Sequence, residues 1–148
     1  MDTLQCAIVL AKLERFEWEL QRRREIGARY AELLTGSGIE LLTVRPDRDC
    51  VWAQYTVFAD DRPRVQAALQ ERGIPTAVHY PKPLHRQPAY EHFCCLDCCE
   101  NSIEAAERVM SLPMHSYLTE YDQQSVVEAL TKDLLNQRRV IIPVDVRA

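Results

Sequence analysis

The residues best equipped for chemistry lie together in residues 74–90, IPTAVHYPKPLHRQPAY, which carry His79, Tyr80, Lys82, His85, Arg86 and Tyr90. An imidazole titrates near neutrality and can serve as acid, base or hydrogen-bond partner, and a phenol hydroxyl both donates and accepts. Pro81, Pro83 and Pro88 each fix φ and turn the residue before them away from helix, so the stretch reads as an extended ribbon. Two histidines, two tyrosines and two cations on such a ribbon are costly to place against protein unless something polar is held there. Taken singly, each is more often structural than catalytic; their concentration just past a strand end marks the stretch. His115, in the extended connector after Pro113, reads as a surface or packing histidine.

A second cluster, Cys94, Cys95, Cys98 and Cys99 beside His92, is louder and less informative. It contains one Cys-x-x-Cys pair, Cys95 and Cys98. A structural zinc site needs four ligands converging on a tetrahedron, usually two such pairs from separate segments. Four cysteines within six residues are poorly placed to do that, so the expectation is a loop with incidental thiols and no metal. A small zinc or redox protein is the least favoured alternative. No Ser-His-Asp or Cys-His arrangement stands out.

Around these residues the composition is that of a soluble globular domain, 148 residues with 47% hydrophobic and 27% charged. A chain of that length buries roughly 68–70% of its unfolded surface. A net charge of −4 argues against nucleic-acid binding, there being no basic excess to displace counterions from phosphates. No apolar run approaches the ~20 residues needed to span a bilayer. Six cysteines and a start, MDTLQ, without a basic region or cleavage site predict a reducing, cytoplasmic setting.

Residues 1–34 read as one long helix, capped by Asp2 with Gln5 in capping-box position and stopped at Gly36. Its first half is apolar on two sides, through Leu4, Ile8, Ala11 and through Val9, Leu13, Phe16, Leu20, which predicts a face wanting further protein. Its second half is charged; Glu19–Arg23 and Glu25–Arg29 have i,i+4 spacing, and residues 22–24 read as a solvated surface. Gly27 could mark a bend, at about 1 kcal/mol relative to Ala. Strands are expected at 39–44, 51–59 and 74–80, the second central, with a helix from Asp60 or Asp61 to Arg72. The short strand–helix–strand links make the second and third strands parallel, with 39–44 between them to keep the sheet antiparallel. A helix over 102–110 capped by Asn101, a connector over 111–117, and a helix from Thr119 to about Asn136 with Val126, Val127, Leu130 and Leu134 inward complete the reading.

Several blocks resemble the DegT/DnrJ/StrS family of sugar aminotransferases: MDTLQCAIVLAKLERFEWELQRRREIGARY, WAQYTVFA, GIPTAVHYPKPLHRQPAY and NSIEAAERVMSLPMHSYLTE, in order, with the closing helix. The resemblance implies an α/β chain of the α+β two-layer kind, the small C-terminal domain of the aspartate-aminotransferase (type I) fold. Residues 1–36 are then a long helix leading from a preceding large domain, 37–137 the small mainly antiparallel domain covered by helices, and 138–148 a tail. It implies a pyridoxal-phosphate enzyme aminating a nucleotide-linked keto sugar, with glutamate as donor, as a homodimer whose active sites lie at the interface. The cofactor lysine belongs to the large domain, and Lys12, Lys82 and Lys132 do not sit in its context. The expectations are therefore a back part of such an enzyme, inactive by itself, no catalytic residue of its own, and self-association through the first helix. Carried over as substrate contacts are His79, Tyr80 and His85, with Lys82 and Tyr90 behind them. The cysteine-rich loop departs from relatives, which usually show glycine and polar residues there. A non-catalytic sugar-nucleotide-binding or dimerisation module is the alternative.

Overall fold

A computed structural model describes residues 2–93 and 99–140, with side chains up to Lys132. The first helical region is two helices, α1 (Thr3–Leu13) and α2 (Phe16–Leu34), not one. The Asp2 carboxylate accepts from the Gln5 N–H at 2.8 Å, the expected cap. The break falls at Arg15, whose N–H reaches back three residues to the Lys12 carbonyl at 3.1 Å while its own backbone leaves the helical region. Neither glycine nor proline announces it. α2 buries Ile26, Gly27, Tyr30 and Leu34, whereas α1 buries nothing and leaves Leu4 78% and Ile8 56% exposed, as its two-sided apolar pattern predicts. Gly36, at φ +74°, turns the chain away from α2.

Gly27 lies inside the uninterrupted run of α2. A Cβ built there would overlap the Trp52 indole, so the glycine is the recess into which that ring fits. Trp52 in turn stacks on Tyr55, and Tyr55 on Tyr30, with centroids 4.9 and 4.8 Å apart. The Tyr30 hydroxyl donates to the Pro113 carbonyl at 3.0 Å. Burial drives the Tyr30 phenol well up and that of Tyr55 to about 12.

The arginines of α2 are clasps rather than a solvated run with i,i+4 partners. Arg23 donates to the Trp52 carbonyl at 3.0 Å, Arg24 pairs Asp49 at 2.7 Å and Arg29 pairs Glu120 at 3.0 Å; Glu25 is held by Arg22. Irregular backbone at 45–54 leaves carbonyls without ladder partners, and a long guanidinium supplies the donor.

Three strands form an antiparallel sheet in the order β1 (Glu40–Leu41), β2 (Tyr55–Phe58), β3 (Val109–Leu112). Tyr55 pairs Leu112 and Phe58 pairs Val109; Glu40 pairs Phe58 on the far edge. Two strand expectations are corrected. The strand at 39–44 is two residues long and lies at the edge, and the one at 74–80 is reduced to a single bridge from Ala77 to Ser111. Between β2 and Ala77 sits β3, read from sequence as the end of a helix and the start of a connector. All four of its residues are buried, which is why it takes the interior place. Since β2 and Ala77 are each antiparallel to β3, they run the same way, as the short crossover requires.

That crossover is α3 (Arg62–Gln70), capped by Asp61 and closed by Gly73 at φ +71°, with Val65 and Leu69 fully buried. α4 (Glu100–Arg108) has Cys99, not Asn101, at its N-cap position, and no side chain caps it. It stops where the chain enters β3 and pairs with β2, and Arg108 spreads over Asp60, Glu104 and Glu40 at 3.0, 2.9 and 2.6 Å. α5 (Glu120–Val140) begins with a reciprocal cap: Asp122 N–H donates to Thr119 Oγ1 at 3.1 Å, and Thr119 N–H to the Asp122 carboxylate at 3.3 Å. The Thr119 hydroxyl also donates to the Asp122 carboxylate at 2.6 Å, and that bond, with the one from the Thr119 N–H, holds the carboxyl below its usual range. α5 packs on α2 and α3, burying Val126, Val127 and Leu130, and Gln123 donates to the Ile26 carbonyl at 3.0 Å. Leu134 lies beyond the described side chains; the helix runs past Asn136, and of the expected tail residues 141–148 are outside the description. Among the described residues no helix is long and apolar enough to cross a membrane.

Gly27→Ala is expected to destabilise the chain by about 1–3 kcal/mol through overpacking against Trp52, despite Ala's better helix propensity. Denaturant unfolding checks this, and an unchanged or raised midpoint would refute the recess.

Candidate functional site

The segment from Gly73 to Phe93 is anchored at its start and curled at its end. The Ile74 N–H bonds the Leu69 carbonyl, and Ala77 exchanges both backbone hydrogen bonds with Ser111 at 2.7 and 3.2 Å. Thr76 accepts from Gln66 at 3.0 Å, and the His79–Tyr80 peptide is cis. Past Pro83 the extended path ends. Leu84–Arg86 forms a 3-10 turn, with Arg86 N–H donating to the Pro83 carbonyl, and a further turn bonds Tyr90 N–H to the Gln87 carbonyl at 2.8 Å. The ribbon is thus not extended to Pro88. The prolines dictate φ only locally, and once past them the backbone satisfies its polar groups by short-range turns.

The curl brings His79, Tyr80, Lys82, His85 and Tyr90 around one hollow of about 570 Å³. Tyr80 is 72% and Tyr90 48% exposed, so both rings stand at the rim, while His85 is 8% exposed. Arg86 is not among the lining residues. The facing wall, which sequence reasoning missed, is α4: Ser102, Ala105 and Ala106, with Val109 continuing the row. Their i, i+3, i+4, i+7 spacing is the signal that could have revealed it, a stripe of small residues facing something other than the core.

His85 supplies the sharpest feature of the hollow. Its Nε2 is buried with no hydrogen-bond partner among the described residues. An orphaned buried polar atom costs about 1–3 kcal/mol, so a protein that keeps one without use is less stable for it. A smaller hollow of about 250 Å³ adjoins the first, lined by Gln54, Thr76, Ala77, Ser111 and Met114, and His79 borders both. His115 is exposed and outside both.

The described residues do not fit the cofactor implied by the resemblance. A lysine that is to bond a cofactor carbonyl needs desolvation or a cationic neighbour to free its amine. Lys12, Lys82 and Lys132 are all exposed. No group of three or more His, Cys, Asp or Glu side chains is placed to hold a metal ion among the described residues. Cys94, Cys95 and Cys98 lie outside them; Cys99 is half-buried at the start of α4, and His92 packs against Phe93 at 4.0 Å.

The profile of the DegT/DnrJ/EryC1/StrS aminotransferase family matches residues 1–131. The chain is 45% identical over 132 residues to a UDP-2-acetamido-2-deoxy-3-oxo-D-glucuronate aminotransferase of Pseudomonas aeruginosa, covering 88% of this chain and 36% of that protein. It is 36% identical over 132 residues to a dTDP-3-amino-3,6-dideoxy-alpha-D-galactopyranose transaminase of Aneurinibacillus thermoaerophilus, covering 89% and 36%. Among solved structures it resembles a DegT DnrJ EryC1 StrS aminotransferase from Brucella abortus, with a TM-score of 0.83, 35% identity, and coverage of 90% of this chain and 36% of that one. The chain therefore spans little more than a third of the length of these relatives.

Replacing His85 by Leu removes the orphaned nitrogen while keeping an apolar filler. The variant is expected to be as stable as the parent or more so, by about 1 kcal/mol. A loss of stability on denaturant titration would mean that the imidazole is structurally satisfied.

Proposed function

The chain belongs to the DegT/DnrJ/EryC1/StrS aminotransferase family, and on that premise we propose that it forms the substrate-facing wall of a pyridoxal-phosphate-dependent enzyme that aminates a keto sugar carried on a nucleotide. Glutamate is the amino donor in this reading, and the reaction is cytoplasmic. The observation that carries it is the convergence of His79, Tyr80, Lys82, His85 and Tyr90 on one hollow. These are the residues the family resemblance nominates as substrate contacts, and they are distant from any core role except His85. In this reading α1 leads to a cofactor-bearing domain, while α2 packs into the core of the small domain and α5 carries that domain to Val140. The cofactor supplies the electron sink for moving the amino group. This chain's residues orient the substrate, and no lysine among those described is placed to bond the cofactor.

Two assays test the reading. The chain alone, supplied with pyridoxal phosphate, glutamate and a keto sugar nucleotide, is expected to give no turnover. A chimera carrying residues 1–131 in place of the matching part of the Pseudomonas aeruginosa relative is expected to transfer the amino group to the sugar nucleotide in that relative's name. In the chimera, His79→Ala should raise KM about tenfold, a loss of about 1.4 kcal/mol. Turnover by the chain alone sinks the proposal. A folded, cofactor-loaded chimera that binds the sugar nucleotide without turnover favours the second reading, a binding module, which the absence of an enclosed lysine among the described residues supports.

We further propose that the bare face of α1, with Leu4, Ile8 and Leu10 exposed, pairs copies of this chain when nothing else covers it. Sedimentation should show concentration-dependent association, weakened at least about tenfold in the Leu4→Glu, Ile8→Glu double variant, roughly 1.4 kcal/mol. A monomer at every concentration would exclude such pairing.

A further inference from the structure

β2 and β3 stop pairing at Tyr55 and Leu112. Past that pair the two segments part, and Ala53, Gln54, Pro113 and Met114 line the smaller hollow that His79 borders. Among the described residues no backbone hydrogen bond crosses between 52–54 and 113–114. Carbonyls left over in this way need water or a side chain. We infer that Arg23 is a positioning residue for substrate binding, its guanidinium setting the width of this hollow beside His79; the inference rests on the substrate-facing reading above.

The guanidinium reaches both lips of the opening. Its Nη1 donates to the Trp52 carbonyl at 3.0 Å and stands 3.4 Å from that of Ala53 and 3.5 Å from that of Met114. A second bond from α2 holds the Met114 side, since the Tyr30 hydroxyl donates to the adjoining Pro113 carbonyl at 3.0 Å. Both lips therefore hang from one helix. A lysine would not reproduce this, because its ammonium is a point charge on a flexible stem, whereas the planar guanidinium fixes the directions of its donors.

Trp52 shows that the position of one lip is imposed. It is the one non-glycine residue at positive φ, +50°, among the described residues. A bulky residue in that region is strained and persists only where its surroundings over-determine it. α2 does so at two points: Gly27 receives the ring, and Arg23 engages the carbonyl. Ala53 and Gln54 follow directly in the chain, so their approach to the hollow is inherited from this turn. The wall at Thr76 and Ala77 is fixed independently, by Gln66 and by the bridge to Ser111, which leaves the two lips as the adjustable part. The neighbouring Arg24 has a different task, pairing Asp49 at 2.7 Å away from the hollow.

The test places Arg23→Lys in the chimera described above, with Arg24→Lys as the control on the same helix and folding followed by thermal unfolding. Arg23→Lys is expected to raise KM for the sugar nucleotide at least about fivefold with kcat held within about twofold, the pattern of lost uniform binding. Arg24→Lys should leave both constants unmoved. If Arg23→Lys lowers the unfolding midpoint but not the affinity, or if both variants raise KM alike, the guanidinium only holds the fold together. The inference is then overturned, and the substrate-facing reading stands provided that His79→Ala still raises KM. If the folded, cofactor-loaded parent chimera does not bind the sugar nucleotide, both fall. A second measurement needs no activity: in the 148-residue chain, Arg23→Lys should shift the Gln54 side-chain amide and Met114 methyl resonances, and Arg24→Lys should not. Resonances unmoved by Arg23→Lys would also overturn the inference.

Discussion

Ser111 spends both of its backbone groups on Ala77, while its neighbours in β3 pair with β2 on the other edge. This double engagement fixes the rest of the site. α4 runs directly into β3 at Val109, and the ribbon leaves the sheet at Ala77, so the two walls of the hollow hang from opposite ends of one short buried strand. The points where the two walls leave the sheet are therefore set by backbone hydrogen bonds to one strand. A site hung this way keeps its geometry because backbone bonds buried from water are costly to break.

The same strand marks the boundary of what can be read without coordinates. The helix caps at Asp2, Asp61 and Thr119 were legible because a cap is local chemistry, confined to three or four residues. β2, α3 and the apolar face of α5 were legible from β-forming residues and from period. β3 was not: four consecutive buried residues carry no alternation, and they follow a helix with no breaker between, so period favours prolonging the helix. The arginines of α2 failed for the complementary reason. Local spacing offered Arg23 and Arg29 acidic partners one turn away, and a carbonyl and a carboxylate brought near by folding won. At the site, resemblance nominated five residues that line one hollow, but the facing wall and the unpartnered nitrogen of His85 depend on burial, which no spacing encodes.

Family membership and geometry divide the chemistry in a consistent way. The described residues offer recognition surfaces, aromatic rims and hydrogen-bonding side chains, and no enclosed amine. In a cofactor enzyme these tasks separate cleanly, since the cofactor carries the difficult electronic step and the protein around the substrate supplies position. The chain itself spans little more than a third of the length of these relatives.

Gly27 and Trp52 show how packing restricts the routes by which such a chain can change. The indole occupies the space that any side chain at 27 would need, so the two positions are epistatic: the effect of a change at one depends on which residue stands at the other. The order of change is constrained as well. Shrinking Trp52 first leaves a void that a later Cβ at 27 can partly refill, whereas adding the Cβ first meets the ring. Along a lineage of single substitutions either first step passes through a less stable protein, and what the second step does depends on which came first.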